Sequence, residues 1–151
     1  MTNAQTGEPQ ERLMVKDADN LHPMGQFFQA MLLNLLKEPR KVRIAEKLDL
    51  AVAIEPTDHP DNALTVAFSK GRVVLEGRTV PKPDVKIKCE LNTLLKLARV
   101  PAGPAVIKFL RTDEGKDLVA KVFSGKLKIK GIARHPLGMM KFAKFLAPGS
   151  G

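Results

Sequence analysis

Apolar residues recur along this chain at two different periods, and the changes of period mark its elements. From Met24 onward, Phe27, Phe28, Met31, Leu32, Leu35 and Leu36 repeat at three- and four-residue spacing, which predicts one apolar stripe on a helix. Pro39 ends that helix, because its ring drives Glu38 out of the helical region. It also suits the first turn of a second short helix, predicted to run to about Lys47. The period then falls to two. Leu50, Val52 and Ile54 alternate with Ala51 and Ala53, and Leu64, Val66 and Phe68 form a second strand after the turn-rich Pro56 to Asn62. Lys70-Gly71 is a tight turn leading into a hairpin partner at Val73 to Glu76. Arg78 to Asp84, with Pro81 and Pro83, reads as a crossover. Val85, Ile87 and Cys89 then alternate with Lys86, Lys88 and Glu90.

Helical spacing returns at Leu91, Leu94, Leu95 and Leu97, and stops at Pro101. Ala105 to Leu110 and Leu118 to Phe123 are further helical pieces, separated by a polar turn at Thr112 to Gly115. Phe123 to Gly131, FSGKLKIKG, follows as a short strand with Leu127 and Ile129 on one side and Lys126, Lys128 and Lys130 on the other. A glycine at each end suits a tight turn or a close backbone approach. Pro136 opens a last helix containing Leu137, Met139, Met140, Phe142, Phe145 and Leu146. The first 20 residues are polar and read as a flexible N-terminal arm, leaving 21–151 as one domain. The sum predicts an α+β fold: a five-stranded, mostly antiparallel (mixed) sheet with helices packed on one face, enclosing an apolar cavity.

Composition sharpens this picture at one point. The chain has seven Phe but no Trp or Tyr, so its interior is oily, with few polar handles. Charge sharpens it at another. The formal net charge is +9, and from Leu118 to Gly151 there is no acidic residue against seven cations. Such a surface attracts anionic partners, whether membrane, nucleic acid or acidic protein. Base-stacking Tyr and Trp are absent, so nucleic acid is not the expected partner. Cys89 stands alone and is expected to pack as a small apolar group. The N-terminal residues lack the apolar core of a signal peptide, the C-terminal residues are not a peroxisomal address, and no run approaches the roughly 18 apolar residues of a membrane span. The expected location is cytoplasmic.

The residues of catalysis do not assemble in the sequence. His22, His59 and His135 are scattered without metal-binding spacing, so no metal and no cofactor is expected. Ser69 and Ser124 lie outside any nucleophile elbow, and Gly71, Gly77 and Gly103 are isolated turn glycines. His59 with Asp58 and Asp61 reads as a hydrated turn, and Asp113-Glu114 as a helix cap. The chain is not expected to be an enzyme. What it has in quantity is Met and Phe near its end. Such side chains can pack on a flexible ligand and repack when it leaves.

Several stretches taken together resemble the sterol-carrier-protein type 2 family. Pro83 to Lys88 is similar to that family's entry to the fourth strand, and Asn92 to Leu97 to the helix that follows. FSGKLKIKG resembles its signature, and Met139 to Leu146 its terminal amphipathic helix. Arg99 to Ala102, the insertion-like Pro104 to Asp117, and Arg134-His135-Pro136 depart from the family pattern. The resemblance implies a non-enzymatic domain that binds, and in some members transfers, a sterol, fatty acyl, phospholipid or isoprenoid ligand. Some single-domain bacterial relatives assist isoprenoid-quinone synthesis, so the resemblance admits biosynthetic enzymes as partners. The residues chosen to line the cavity are Val106, Phe109, Leu110, Val119, Phe123, Ile129, Leu137, Met140 and Phe145. Lys126, Lys128, Lys130, Lys141 and Lys144 are chosen for attraction to an anionic membrane surface.

Overall fold

The computed structural model describes residues 9–97, 108, 111–124 and 128–146, without the side chains of 9, 10, 95–97, 118 and 121–123. Its strands are β1 (Leu13–Lys16), β2 (Leu50–Pro56), β3 (Leu64–Ser69), β4 (Arg72–Glu76), β5 (Val85–Cys89) and β6 (Lys128–Lys130). Its helices are α1 (Pro9–Arg12), α2 (Pro23–Leu35), α3 (Pro39–Glu46), α4 (Leu91–Leu97), α5 (Asp113–Ser124) and α6 (Pro136–Leu146). Among the described residues the strands form one sheet in the order β1-β4-β3-β2-β5-β6. The β2–β3, β3–β4 and β5–β6 pairs are antiparallel, whereas β1–β4 and β2–β5 are parallel.

The sheet therefore has six strands, not five, and the extra one comes from the polar stretch at the start of the chain. Leu13 and Val15 stand beside Val73 and Leu75 of β4, which carries their side chains onto the inward face. Four residues, Leu-Met-Val-Lys, are too few for alternation to announce a strand. Their parallel partner also lies far along the chain, where no hairpin signal exists. A second difference is at Thr112 to Gly115, where α5 already begins at Asp113. The Thr112 hydroxyl accepts from the Gly115 amide at 3.1 Å, an N-cap where a free-standing turn was expected.

Register aligns the apolar positions into rows. Leu50 pairs with Phe68, Val52 with Val66, and Ile54 with Leu64, while Val85 and Ile87 stand beside Val52 and Ile54. All of these side chains are buried, and helices α2, α3, α4 and α6 add Phe28, Leu32, Ala45, Leu94, Phe142 and Phe145 to the same core. Each full burial of such a Leu, Val or Phe contributes about 1.5–3 kcal/mol relative to exposure. Phe68 meets Phe142 and Phe145 edge-on at 5.8 and 5.2 Å between centroids, which seats α6 on β3. The hairpin turn between β3 and β4 has positive φ at both Lys70 and Gly71, the geometry that matches strand twist.

The opposite face is polar and partly covered. Thr65 is buried there, its hydroxyl donating to the Arg78 carbonyl at 2.8 Å and accepting from the Val80 amide at 3.1 Å. The crossover between β4 and β5 is thus tied down over the middle of the sheet. Towards β6 this face stays open and carries the lysines of β5 and β6.

Candidate functional site

The row of isoleucines at one end of the inward face is the floor of an apolar recess. Ile54, Ile87 and Ile129 come side by side from β2, β5 and β6 because strand register puts them in line. Helix α2 supplies Phe28 and Met31, α4 supplies Leu94, and α6 supplies Met139, Phe142, Ala143 and Leu146. On α6 these four fall at i, i+3, i+4 and i+7, one face of the helix. The recess has a volume of about 170 Å³, and every described residue that lines it is apolar.

Polar contacts outside the recess hold its walls. The ring of His22 caps α2: Nδ1 accepts from the Gly25 amide at 3.0 Å, and Nε2 lies 2.7 Å from the Ala63 carbonyl. Only a neutral ring protonated at Nε2 satisfies both contacts. The Asp58 carboxylate accepts from the Leu91 amide at 3.0 Å, giving that loop acid a fixed role at the start of α4. Helix α6 is fastened to α3 by two lysines. The buried Lys41 ammonium donates to the Lys144 carbonyl at 2.8 Å, and Lys141 donates to the Lys47 carbonyl at 3.3 Å. Burial lowers the pKa of Lys41, Glu38 nearby opposes that shift, and Arg40 adds to it.

The residues chosen from sequence are distributed over several places. Ile129 lines the recess, and Phe145 is fully buried beside it in the core. Leu137 and Met140 lie on the outer side of α6, 69% and 56% exposed, and Val119 is exposed on α5. Val106, Phe109, Leu110 and Lys126 lie outside the described residues, as does the side chain of Phe123. Lys128 and Lys130 project from the polar side of β6, whereas Lys141 and Lys144 belong to α6. The four described lysines of this set are thus carried by two different elements. Phe28, Met31, Ile54, Ile87, Leu94, Met139, Phe142, Ala143 and Leu146 are the other described residues of the lining, and none was in the sequence-based set. Alternation did identify the inward side chains of the strands; it gave no sign of which row lay under the recess.

On the polar face, Glu55 is the centre of a small network. It accepts from the Thr79 hydroxyl at 2.6 Å and lies 3.7 and 3.6 Å from the ammonium groups of Lys86 and Lys88. The Thr79 hydrogen bond, and then the two lysines, hold its carboxyl below the usual range, while burial acts the other way. Among the described residues no group of three His, Cys, Asp or Glu side chains is placed to hold a metal ion, and no helix is long and apolar enough to cross a membrane.

No family model and no curated protein matches the sequence. Solved structures do match the fold. The UbiJ-SCP2 ubiquinone synthesis protein superposes with a TM-score of 0.55 at 18% identity, over 81% of this chain and 91% of its own. The inverting sec-alkylsulfatase Pisa1 from Pseudomonas sp. gives 0.54 at 18% identity, over 89% of this chain but only 18% of that much longer enzyme. A sterol carrier protein 2 gives 0.47 at 13% identity, over 84% of this chain and 95% of its own. The chain has an SCP2-like fold.

Proposed function

We propose that this protein is a non-enzymatic lipid carrier, holding a sterol, fatty acyl, phospholipid or isoprenoid chain in an apolar cavity between sheet and helices. The observation that carries this reading is the recess with only apolar residues in its described lining. At about 170 Å³ it is smaller than the roughly 300–1,000 Å³ of ordinary ligand sites. Loading therefore requires the walls to separate, and α6 is the wall suited to it. Met139, Phe142 and Leu146 are adaptable or large fillers whose displacement opens the space they occupy. Val106, Phe109, Leu110 and Phe123 are proposed to extend the cavity, and Val119, Leu137 and Met140 to close on the ligand as the helices shift. Lys126, Lys128, Lys130, Lys141 and Lys144 are proposed to draw the protein to an anionic membrane.

The fold likeness to a ubiquinone synthesis protein favours a second reading, in which the bound chain is an isoprenoid-quinone precursor presented to biosynthetic enzymes. Stable co-purification of such enzymes distinguishes presentation from transfer.

The test is native mass spectrometry of protein prepared without detergent and then incubated with vesicles containing fatty acid and polyprenyl lipid. The expected result is a one-to-one complex with one lipid class. Loading is expected to slow as salt screens the lysines. Ala143→Trp, which fills the recess from α6, is expected to reduce occupancy at least several-fold while the protein still melts cooperatively. Absence of any bound lipid, either co-purified or acquired, overturns the reading.

A further inference from the structure

A second recess, on the polar side of the sheet, has the opposite chemistry. It has a volume of about 550 Å³ and lies where β5, β6 and the turn before α6 meet. Lys82 reaches it from the crossover, Lys86 from β5, Lys130 from β6, and Arg134 and His135 from the turn. Its one carboxylate is already engaged. Asp84 accepts from the Ala51 amide at 2.8 Å through Oδ2, and its Oδ1 is 3.8 Å from His135 Nε2.

The lysines of the two strands are also set against each other. Lys86 stands directly opposite Lys130, and Lys88 opposite Lys128. Like charges in such cross-strand positions repel. Glu55 answers both lysines of β5, and no described carboxylate forms an ion pair with Lys128 or Lys130. The frame around these charges is stiff. Pro81 and Pro83 restrict the crossover, and Gly131, at φ +92, brings β6 so close to β5 that a Cβ there would sit 2.1 Å from the Asp84 carbonyl oxygen. The Arg134 and His135 amides both donate to the Gly131 carbonyl, at 3.2 and 3.1 Å. The turn so formed leads straight into the positive end of the α6 dipole.

We propose that this recess binds a phosphate or diphosphate group, carried either by a soluble compound or by a lipid headgroup. A carboxylate brings one charge, whereas a diphosphate brings several charges and acceptor oxygens to cations set on the crossover, β5, β6 and the turn. The site lies on the other side of β5 and β6 from the apolar recess, so it does not depend on the lipid reading.

Calorimetric titration with inorganic diphosphate, and flotation with neutral vesicles with and without phosphatidic acid, test it. The probe is expected to bind saturably, one per chain. The double variant Lys130→Ala/Arg134→Ala is expected to weaken binding at least about tenfold, the loss that follows removal of charge-assisted contacts. The variant Lys37→Ala/Lys116→Ala removes the same charge from exposed sites that do not line the recess and is expected to bind within about twofold of the parent. Dependence on Lys130 and Arg134 in the calorimeter identifies a soluble ligand, and the same dependence only on vesicles identifies a headgroup. Binding of neither probe, or equal loss in both double variants with unchanged melting temperatures, overturns the proposal.

Discussion

Gly131 shows how much one position decides. Its positive φ and the missing side chain let β6 close against the backbone of Asp84 and Val85. Gly131→Ala is expected to destabilise the fold by roughly 1–3 kcal/mol from the left-handed backbone alone, with the contact at Asp84 adding to it. Thermal melts measure the effect, and an unchanged melting temperature counts against the close approach. FSGKLKIKG does not begin as a strand, since Phe123 and Ser124 belong to α5 and the described strand is Lys128–Lys130, but the need for glycine at this end of β6 was legible from residue type alone. Other residue roles were not. Asp58 at the start of α4, Lys41 beneath α6 and the second contact of the His22 ring, to Ala63, depend on partners far away in sequence, and no local pattern reports a partner.

Among the elements, the hairpin, the β2–β3 pair and the long helix α2 were readable because alternation, turn residues and a single apolar stripe agree there. β1 was hidden by its length. α6 was readable as a helix but not in its rotation. Apolar residues nearly surround it, so periodicity does not choose between Met139, which lines the recess, and Met140, which faces out. Phe68 and the anchoring lysines of α3 and α6 settle that angle. The last carbonyls of a helix lack partners within it, and Lys41 supplies one to Lys144. Replacing it by Met keeps the buried stem and removes the donor. Lys41→Met is expected to lower stability by about 1–3 kcal/mol and to speed amide exchange in α6 before it does so in the sheet. Uniform exchange across both elements sinks the claim that this contact fastens the helix.

For the molecule as a whole, Glu55 links acid stability to the joining of β2, β5 and the crossover. Its carboxyl titrates below the ordinary 4.5 in the folded protein, so near and below that pH the unfolded chain binds more protons than the native one. The stabilisation is therefore complete above the ordinary value and disappears as pH falls through the lowered native one. Melting temperatures from pH 7 down to 3 are expected to fall more steeply for the parent than for Glu55→Gln, which should start lower and change less over that window. Parallel curves count against the network. The overall architecture was largely visible in the sequence, since the succession of strand and helix periods leaves few ways to stack them. The position of the recess was not, because it depends on which rows of the sheet the helices leave uncovered.

Within the described residues β6 is Lys128–Lys130, and two neighbours on it serve different compartments: Ile129 lines the oily one and Lys130 the basic one. Adjacent on one backbone, these two side chains do not shift independently. An occupant that steadies β6 from either direction lowers the cost of ordering it for a guest on the far side, and that favour is returned in equal measure. Under the two proposals above, an anion seated behind β6 would favour retention of an apolar ligand in front of it, and the reverse.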